Sequence, residues 1–372
     1  MGLIRFLLAV AVVVYHSYYL FGEKMTGGIV AVQAFYIISG FYMAMILNEK
    51  YTDQKGSWKL FITNRFLRLY PVYWVVLLIA VLVSVIGYYG WGQPFYLYAW
   101  ITKWENMPWL AIVFFIFANL FMFGSDWMFF MGLNRDNSAL EFTKNCFNYK
   151  PMSMHFLFVP QIWTLGIELM FYLIAPFLVR RAWWLQLAVI LLSLGYRSYF
   201  YTEKFWSWDP WSYRFFPFEI ALFLAGSLSY QVYRLIREKD FNIWLLRGVY
   251  LIIPILIFMY PRMQFIQETH RRWYFYFVVA SLIPLVFHYS KNIKWDRWIG
   301  ELSFPLYIGH HVVMMVVKRY FWTHTEHMYW FGITTLAGSL IFAVFLWKFV
   351  VEPIERIRQR RVMEIQPKTV TT

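Results

Sequence analysis

Long apolar runs separated by short polar segments dominate the pattern of hydrophobic and polar positions along this chain. The first run covers residues 3–21. Further runs cover residues 29–47, 70–88, 162–179, 183–200, 215–233, 243–260, 273–287, 302–320 and 329–350. A helix needs about 20 apolar residues to cross the hydrocarbon core of a bilayer, and helices satisfy their own backbone groups there. The pattern therefore predicts an all-α polytopic membrane protein with about ten transmembrane helices.

Basic residues mark one side of the predicted bundle. Lys and Arg concentrate after the second run, at residues 180–181, 234–239 and 291–297, and near the C-terminus at residues 356–361. Such residues collect on the cytoplasmic side of membrane proteins, so the pattern places both termini in the cytoplasm. We expect one membrane domain over residues 1–355 and a cytoplasmic basic tail over residues 356–372.

One apolar stretch does not fit a simple alternation of spans. Residues 109–123 are short for a crossing, and inner and outer loops alternate correctly only when this stretch does not cross. We therefore predict a re-entrant or partly inserted segment here, followed by an outer-face loop over residues 124–160. Long loops in compact proteins commonly carry function, so we expect ligand contacts in this loop.

The composition excludes a soluble globular protein. Of 372 residues, 60% are hydrophobic, 23% are aromatic and only 15% are charged. The formal net charge of +14 resides mainly at the ends of the runs, which indicates membrane topology rather than nucleic-acid binding. It also suits an anionic ligand at the cytoplasmic face. The single cysteine, Cys146, excludes an intrachain disulfide.

Two ionisable residues interrupt the first run. Arg5 and His16 are eleven residues apart, which puts both side chains on one helix face and about 16 Å apart along the axis. Ionisable groups inside a membrane segment are functional candidates. Arg5 also fits an orientation signal, and His16 also fits a hydrogen bond to a neighbouring helix.

Other polar residues lie in or near later runs. Glu168 needs a partner inside the membrane, and we expect it to orient His16 or an arginine; a structural salt bridge is the alternative. Arg214 and Glu219 are interpreted as structural. Small residues such as Ser39 in the second run let helices approach closely, so packing is its first interpretation.

A pair of histidines occupies the middle of the run over residues 302–320. His310 and His311 project about 100° apart, so we expect only one of them to face a cavity. No carboxylate or thiol cluster accompanies them in the sequence, and no metal or haem site is predicted.

Five motifs stand at the ends of the runs. They are the Arg5 and His16 pair, VQAFYIISGF at 32–41, FITNRFLRLYPVYW at 61–74, IWTLGIELMFYLIAP at 162–176 and GELSFPLYIGHH at 300–311, with a final Glu-Pro at 352–353. In number and order these motifs resemble the acyltransferase-3 family of integral membrane O-acyltransferases over most of the chain. The chain departs from the usual family pattern at Gln33, Tyr36 and Phe304.

The resemblance implies transfer of an acyl group, usually acetyl from acetyl-CoA, to a hydroxyl of a cell-surface polysaccharide or lipid-linked saccharide. It implies a multi-pass protein of the bacterial inner membrane, with glycan-assembly proteins as partners and no permanently bound cofactor. The residues expected to take part are His16 and Glu168 in catalysis, Arg5, Arg65 and Arg68 in binding the donor, and Ser39, Trp163, Tyr307 and His310 in binding or supporting the substrate.

The residue chemistry is compatible with this reaction. Transfer from a thioester to a hydroxyl needs a base, and imidazole is the commonest one. CoA is polyanionic, and Arg65 and Arg68 are three residues apart on one side of a helix, as a phosphate clamp requires. Anchoring at the cytoplasmic surface explains either arginine alone equally well.

Two other functions use similar residues. A secondary transporter or flippase also lines a membrane path with polar groups, but the sequence has no internal symmetry of the kind common in transporters. A structural scaffold for glycan assembly leaves the placement of Arg5 and His16 unexplained.

Overall fold

The chain folds as a helical bundle with one small sheet. The structure is a computed structural model that describes residues 1–19, 24–51, 57–134, 137–321 and 328–363. Over these residues the first helices are α1 Gly2–His16, α2 Gly28–Glu49, α3 Ser57–Trp91, α4 Tyr98–Lys103, α5 Trp109–Phe121, α6 Trp163–Leu178 and α7 Trp183–Thr202. The later helices are α8 Phe216–Ile236, α9 Ile243–Met259, α10 Glu268–Ser290, α11 Lys294–Glu301, α12 Ser303–Phe321, α13 Met328–Leu346 and α14 Glu352–Met363. Strands β1 Met131–Leu133 and β2 Leu140–Phe142 pair antiparallel, and a π-helical turn at Trp347–Val351 joins α13 to α14.

The all-α polytopic architecture agrees with the prediction, but the count of about ten spans is not confirmed. Six helical stretches among the described residues are long and apolar enough to cross a membrane, and they contain α2, α3, α6, α9, α10 and α13. Helices α1 and α5 are apolar but have only 15 and 13 residues. Helices α7, α8 and α12 carry buried polar residues such as Arg197, Glu219 and His310, and these residues reduce their hydropathy.

Helix α1 lies at the centre of the bundle, in contact with α2, α11 and α12. Its residues from Leu8 to Val14 are all buried, which agrees with a run of Leu, Ala and Val that has no polar face. The helix ends at His16 instead of continuing to residue 21, and residues 20–23 lie outside the described residues. His16 therefore occupies the end of a short helix and not the interior of a long one.

Asp296 of α11 holds the first turn of α1. The backbone N–H groups of Gly2 and Leu3 donate to its carboxylate at 2.7 and 2.9 Å, and the Tyr250 hydroxyl donates at 2.6 Å. Burial opposes ionisation of Asp296, but the Met1 ammonium at 2.7 Å and these hydrogen bonds outweigh burial and lower the pKa of its carboxyl. A carboxylate at a helix N-terminus also interacts favourably with the helix dipole.

Helix α5 packs against the middle of α3. The carbonyls of its last turn accept hydrogen bonds from α3, with Tyr70 donating to Phe121 at 2.5 Å and Trp74 donating to Leu120 at 2.8 Å. These side chains satisfy backbone groups that a helix end otherwise leaves free, so α5 ends inside the protein.

The predicted outer-face loop is a folded part of the bundle. Residues 124–160 contain the β1–β2 hairpin and several short 3-10 turns. Phe129, Phe156 and Val159 are completely buried, and the Asn119 side chain of α5 donates to the Phe156 carbonyl at 2.8 Å. The loop is therefore more ordered than its sequence indicates, because aromatic side chains in this segment pack into the helices.

The beginning of the predicted C-terminal tail is also structured. Residues 356–363 continue helix α14, and Arg361 donates to Thr63 at 3.0 Å and to Asn64 at 3.3 Å on α3. Residues 364–372, and residues 52–56 of the predicted basic loop, lie outside the described residues.

Two glycines let α2 and α8 approach closely, and these helices form the most extensive helix pair in the fold. A Cβ added at Gly40 would lie 1.8 Å from the Phe223 carbonyl oxygen, and one added at Gly226 would lie 1.8 Å from the Ile37 carbonyl oxygen. Both atoms are backbone, so no side-chain movement could relieve these contacts. Small residues at such crossings let helix backbones pack tightly.

We therefore expect Gly226→Ala to destabilise the protein by about 1–3 kcal/mol, because the helices must separate to admit a methyl group. The measurement is the thermal unfolding midpoint of the protein in detergent. The matched control is Gly195→Ala in α7, where nothing lies within 4 Å of an added Cβ and alanine favours the helix. Equal midpoints for the two variants would contradict the close approach of α2 and α8.

Candidate active site

A cavity of about 110 Å³ lies between α1, α2, α3, α6 and α12. Its wall carries the predicted residues Arg5, Ser39, Arg65, Arg68, Glu168 and Tyr307. Tyr36, Tyr42, Phe35 and Phe304 supply much of its aromatic lining. The fold thus brings together residues from all five sequence motifs around one space.

Glu168 is the acidic residue in this wall. It accepts hydrogen bonds from the Ser39 hydroxyl at 2.6 Å and from the Tyr172 hydroxyl at 2.5 Å. Its hydrogen-bond partners are therefore these two hydroxyls. The expected role of orienting His16 would have required a hydrogen bond to His16 instead. Its negative charge acts on Arg5 and Arg65, which fits the alternative expectation that it orients an arginine.

The arginines are held in different ways. Arg5 donates to the Ser303 hydroxyl at 3.0 Å and lies 5.8 Å from the centre of the Tyr42 ring. Arg65 is buried, lies about 6 Å from the rings of Phe61 and Tyr172, and its Nε has no hydrogen-bond partner among the described residues. A buried guanidinium with an unmet N–H group suits an anionic ligand.

A wider basin of about 340 Å³ adjoins the cavity at the end of the bundle that holds Met1 and α14. Arg5, Tyr42, Arg68 and Phe304 line both spaces. The basic side chains around the basin are Arg5, Lys50, Arg68, Lys291, Arg297 and Arg358, and the acidic ones are Asp296, Glu301 and Glu355.

Each acid of this basin already has a partner. Asp296 binds the start of α1, Glu301 accepts from the Trp347 indole at 3.0 Å, and Glu355 forms an ion pair with Arg358. With six basic and three acidic side chains, the basin carries a positive excess. Such a surface attracts a polyanion.

Three histidines meet beyond the other end of the cavity. The His16 Nδ1 and the His310 Nε2 lie 3.0 Å apart, and the His310 Nδ1 lies 2.6 Å from the Tyr307 carbonyl oxygen. A carbonyl only accepts, so the His310 Nδ1 carries the proton and its Nε2 accepts from the His16 Nδ1–H. The His16 Nε2 is then left with a free lone pair.

His311 joins the same group. Its ring centre lies 4.8 Å from that of His16 and 4.6 Å from that of His310, and its Nδ1 lies 2.9 Å from the Tyr96 hydroxyl. Neither His310 nor His311 is among the residues that line the cavity, and both rings instead contact His16, so the expectation that one of them faces a cavity is not confirmed. Helix α1 ends beside α12, so the His16 ring lies between the directions in which the two histidines project.

Tyr307 connects the cavity with the histidines. Its hydroxyl pairs with the Thr164 hydroxyl at 2.7 Å and donates to the Gln161 carbonyl at 3.1 Å, while its own carbonyl holds His310. His310 is completely buried, whereas His16 and His311 retain accessible surface.

Trp163 lies against a buried arginine. The Arg214 guanidinium is sandwiched 4.1 Å from the centre of the Trp163 ring and 3.9 Å from that of Phe129, and it pairs with Asp209 at 2.6 Å. Its charge also acts on His16. Apart from the tryptophan of the fourth motif, no feature of the sequence predicts this contact between Trp163 and Arg214.

Glu219, the other residue interpreted as structural, pairs with Arg197 at 3.2 Å. The Gln33 side chain also donates to this carboxylate, at 2.8 Å. This network lies away from the cavity, in agreement with a structural role.

Comparison with known proteins gives a consistent picture. A family model described as an acyltransferase domain matches residues 1–348. The peptidoglycan O-acetyltransferase OatA of Listeria monocytogenes is 23% identical over 95% of this chain and 55% of its own length. A putative O-acetyltransferase of Staphylococcus aureus strain COL is 22% identical over 94% of this chain and 56% of its own length. The chain thus spans about half the length of these relatives, and no solved structure matches it.

The buried charge of Arg65 in the cavity leads to a prediction about the stability of the protein. We expect Arg65→Met to raise the thermal unfolding midpoint by a few °C, because desolvating a charge costs free energy that burying an apolar side chain does not. Arg360→Met, at an exposed position of α14, is the control and should leave the midpoint unchanged. A lower midpoint for Arg65→Met would mean that the guanidinium stabilises the ligand-free fold.

Proposed function

The chain belongs to the acyltransferase-3 family of membrane proteins, and from this premise we propose that it transfers an acetyl group from acetyl-CoA to a hydroxyl of a cell-envelope glycan. Two observations support this proposal: the His310 ring sets the tautomer of His16 that leaves its Nε2 unprotonated, and a basic basin adjoins the cavity whose wall includes Tyr307. The relative named a peptidoglycan O-acetyltransferase supports a glycan as the acceptor.

The basin is the proposed site of the CoA nucleotide. Its phosphates need guanidinium or ammonium partners, and Lys50, Lys291 and Arg297 surround the open space while Arg68 lies where the basin meets the cavity. The positive-inside rule assigns this end of the bundle to the cytoplasm, where acetyl-CoA is made. The proposed location is accordingly the bacterial inner membrane, with Met1 on the cytoplasmic side.

The pantetheine arm would extend from this junction through the cavity. Tyr42 and Phe304 line both spaces and offer apolar walls beside the charged Arg5. The arm carries the thioester toward Tyr307 and the histidines. This path gives a purpose to the alignment of Arg5 and His16 on one face of α1, about 16 Å apart along the axis.

His16 acts as the general base in this proposal. Its Nε2 takes the proton of the acceptor hydroxyl while the hydroxyl oxygen bonds to the thioester carbonyl carbon. The carbon–sulfur bond then breaks, the thiolate leaves, and the imidazolium returns the proton to sulfur. The products are an O-acetyl ester and CoA, so no other reactant is needed.

His310 is a positioning residue. Its Nε2 accepts the Nδ1–H of His16, so it fixes the tautomer that a base requires and stabilises the imidazolium that forms. Its own tautomer is set by the Tyr307 carbonyl. In this proposal the two histidines therefore have different roles.

The acceptor would approach from the end of α1. His16 keeps accessible surface there, and the neighbouring Tyr15 is 56% exposed. Exposed aromatic rings offer an apolar face with a polar edge, which suits a sugar. Glycan-assembly proteins that hold the acceptor are the expected partners.

We expect His16→Ala to lower acetyl transfer by about 10²–10⁴-fold, because it removes the base. The assay incubates membranes containing the protein with labelled acetyl-CoA and extracted glycan and counts label in alkali-labile ester linkage. His270→Gln, at an exposed position of α10, is the control. Full transfer by folded His16→Ala would overturn the mechanism, and uptake of label without esterification by the native protein would indicate a transporter.

Arg68→Gln tests the donor site separately. We expect a KM for acetyl-CoA about ten-fold higher with kcat nearly unchanged, since Arg68 lies at the junction of basin and cavity and not beside the histidines. The comparison variant is Arg360→Gln, which removes an exposed charge of the same sign. A fall in kcat with an unchanged KM would contradict the proposal that acetyl-CoA binds in the basin.

A further inference from the structure

We propose that His16, His310 and His311 form a binding site for a divalent transition-metal ion of the zinc class, and that the bound ion withdraws His16 from acyl transfer. The second part rests on the proposed function, whereas the metal site itself does not. Spacing along the chain does not predict this site, because two of the ligands are adjacent in α12 and the third is 294 residues away in α1.

The positions of the ligand atoms carry the proposal. One ring nitrogen from each histidine can be chosen so that all three lie within 4.8 Å of one another, and the His16 Nδ1 and His310 Nε2 are 3.0 Å apart. Nitrogen ligands around a tetrahedral zinc ion are about 3.3 Å apart, given zinc–nitrogen bonds of about 2.0–2.1 Å. Small rotations of the rings convert the present hydrogen bond into shared coordination.

Two outer hydrogen bonds already orient the rings as metal ligands. The Tyr307 carbonyl holds the His310 Nδ1, and the Tyr96 hydroxyl holds the His311 Nδ1 at 2.9 Å. Both rings therefore turn Nε2 inward. Metal-binding histidines almost always make such a bond through the nitrogen that does not bind the metal.

The donor set selects the class of ion. The group consists of three imidazoles without a carboxylate or thiol among the described residues. Imidazole prefers zinc, copper, nickel and cobalt, while magnesium and calcium prefer oxygen ligands. Three histidines also leave a fourth position open, and the accessible surface of His16 and His311 gives an ion a way in.

The surrounding charge sets the strength of binding. No ligand neutralises the ion, and the positive charge of Arg214 acts on His16. Both factors weaken the hold on a cation, so binding should be reversible and not structural.

Coordination changes the tautomer of His16. When the Nδ1 lone pair binds the ion, the proton of this neutral ring resides on Nε2, and Nε2 can no longer accept a proton from the acceptor hydroxyl. The metal-bound and catalytic states are therefore exclusive. Zinc should inhibit acetyl transfer, and removal of zinc by a chelator should restore it.

The first experiment measures binding without activity. Protein purified in detergent on an affinity tag free of histidine is treated with chelator, exchanged into clean buffer and titrated with Co²⁺. We expect the visible absorption bands of a low-coordinate cobalt site to saturate at one ion per chain. His311→Phe should lose these bands, and the exposed His270→Gln should keep them.

The second experiment measures inhibition in the ester assay. We expect the transfer that His311→Phe retains to need at least ten-fold more Zn²⁺ for half inhibition than transfer by the native protein. If this variant does not fold, Tyr96→Phe removes only the hydrogen bond to His311 and should weaken cobalt binding several-fold.

The outcomes separate the two proposals. Absence of cobalt bands in the native protein, or identical bands in folded His311→Phe, would overturn the metal site whatever the transfer activity. Cobalt bands that require His311 in a protein without transfer activity would uphold the site and remove the proposed function. Transfer that zinc inhibits equally in native protein and His311→Phe would refute the link between the ion and His16.

Discussion

The arrangement of the site depends on the two ends of α1. At the first end, the Asp296 carboxylate binds the backbone of Gly2 and Leu3, and at the last end the His16 ring binds His310. Because α1 is buried on nearly all sides between these contacts, it has little freedom to slide or turn. Arg5 and His16 are thus fixed relative to α11 and α12. The cavity and the basin therefore keep the same position relative to each other.

Burying the polar groups of the site inside a membrane protein costs free energy. Hydrogen bonds from two hydroxyl groups offset this cost for Glu168. The carboxylate of Asp209 and two aromatic rings offset it for Arg214. Arg65 is less completely satisfied, since its Nε lacks a partner among the described residues. Incomplete satisfaction of buried polar groups is typical of functional sites, where a ligand supplies the missing contacts.

The sequence predicted the helical membrane architecture and the family, and both are confirmed. It did so because apolar runs are a strong signal and because several motifs agree in order. It could not predict the meeting of His16 with His310 and His311, which depends on the packing of distant helices. Nor could it predict the burial of Phe129 and Phe156, because that segment has aromatic residues without helical or strand periodicity.

The shortness of α1 sets the depth at which chemistry takes place. Fifteen residues span about 22 Å, roughly 8 Å less than the hydrocarbon thickness of a typical bilayer. If the first turn lies at one membrane surface, as the proposed location implies, the helix presents the His16 imidazole below the level of the opposite lipid headgroups. In the proposed function, the acceptor hydroxyl would therefore have to enter this recess to reach His16.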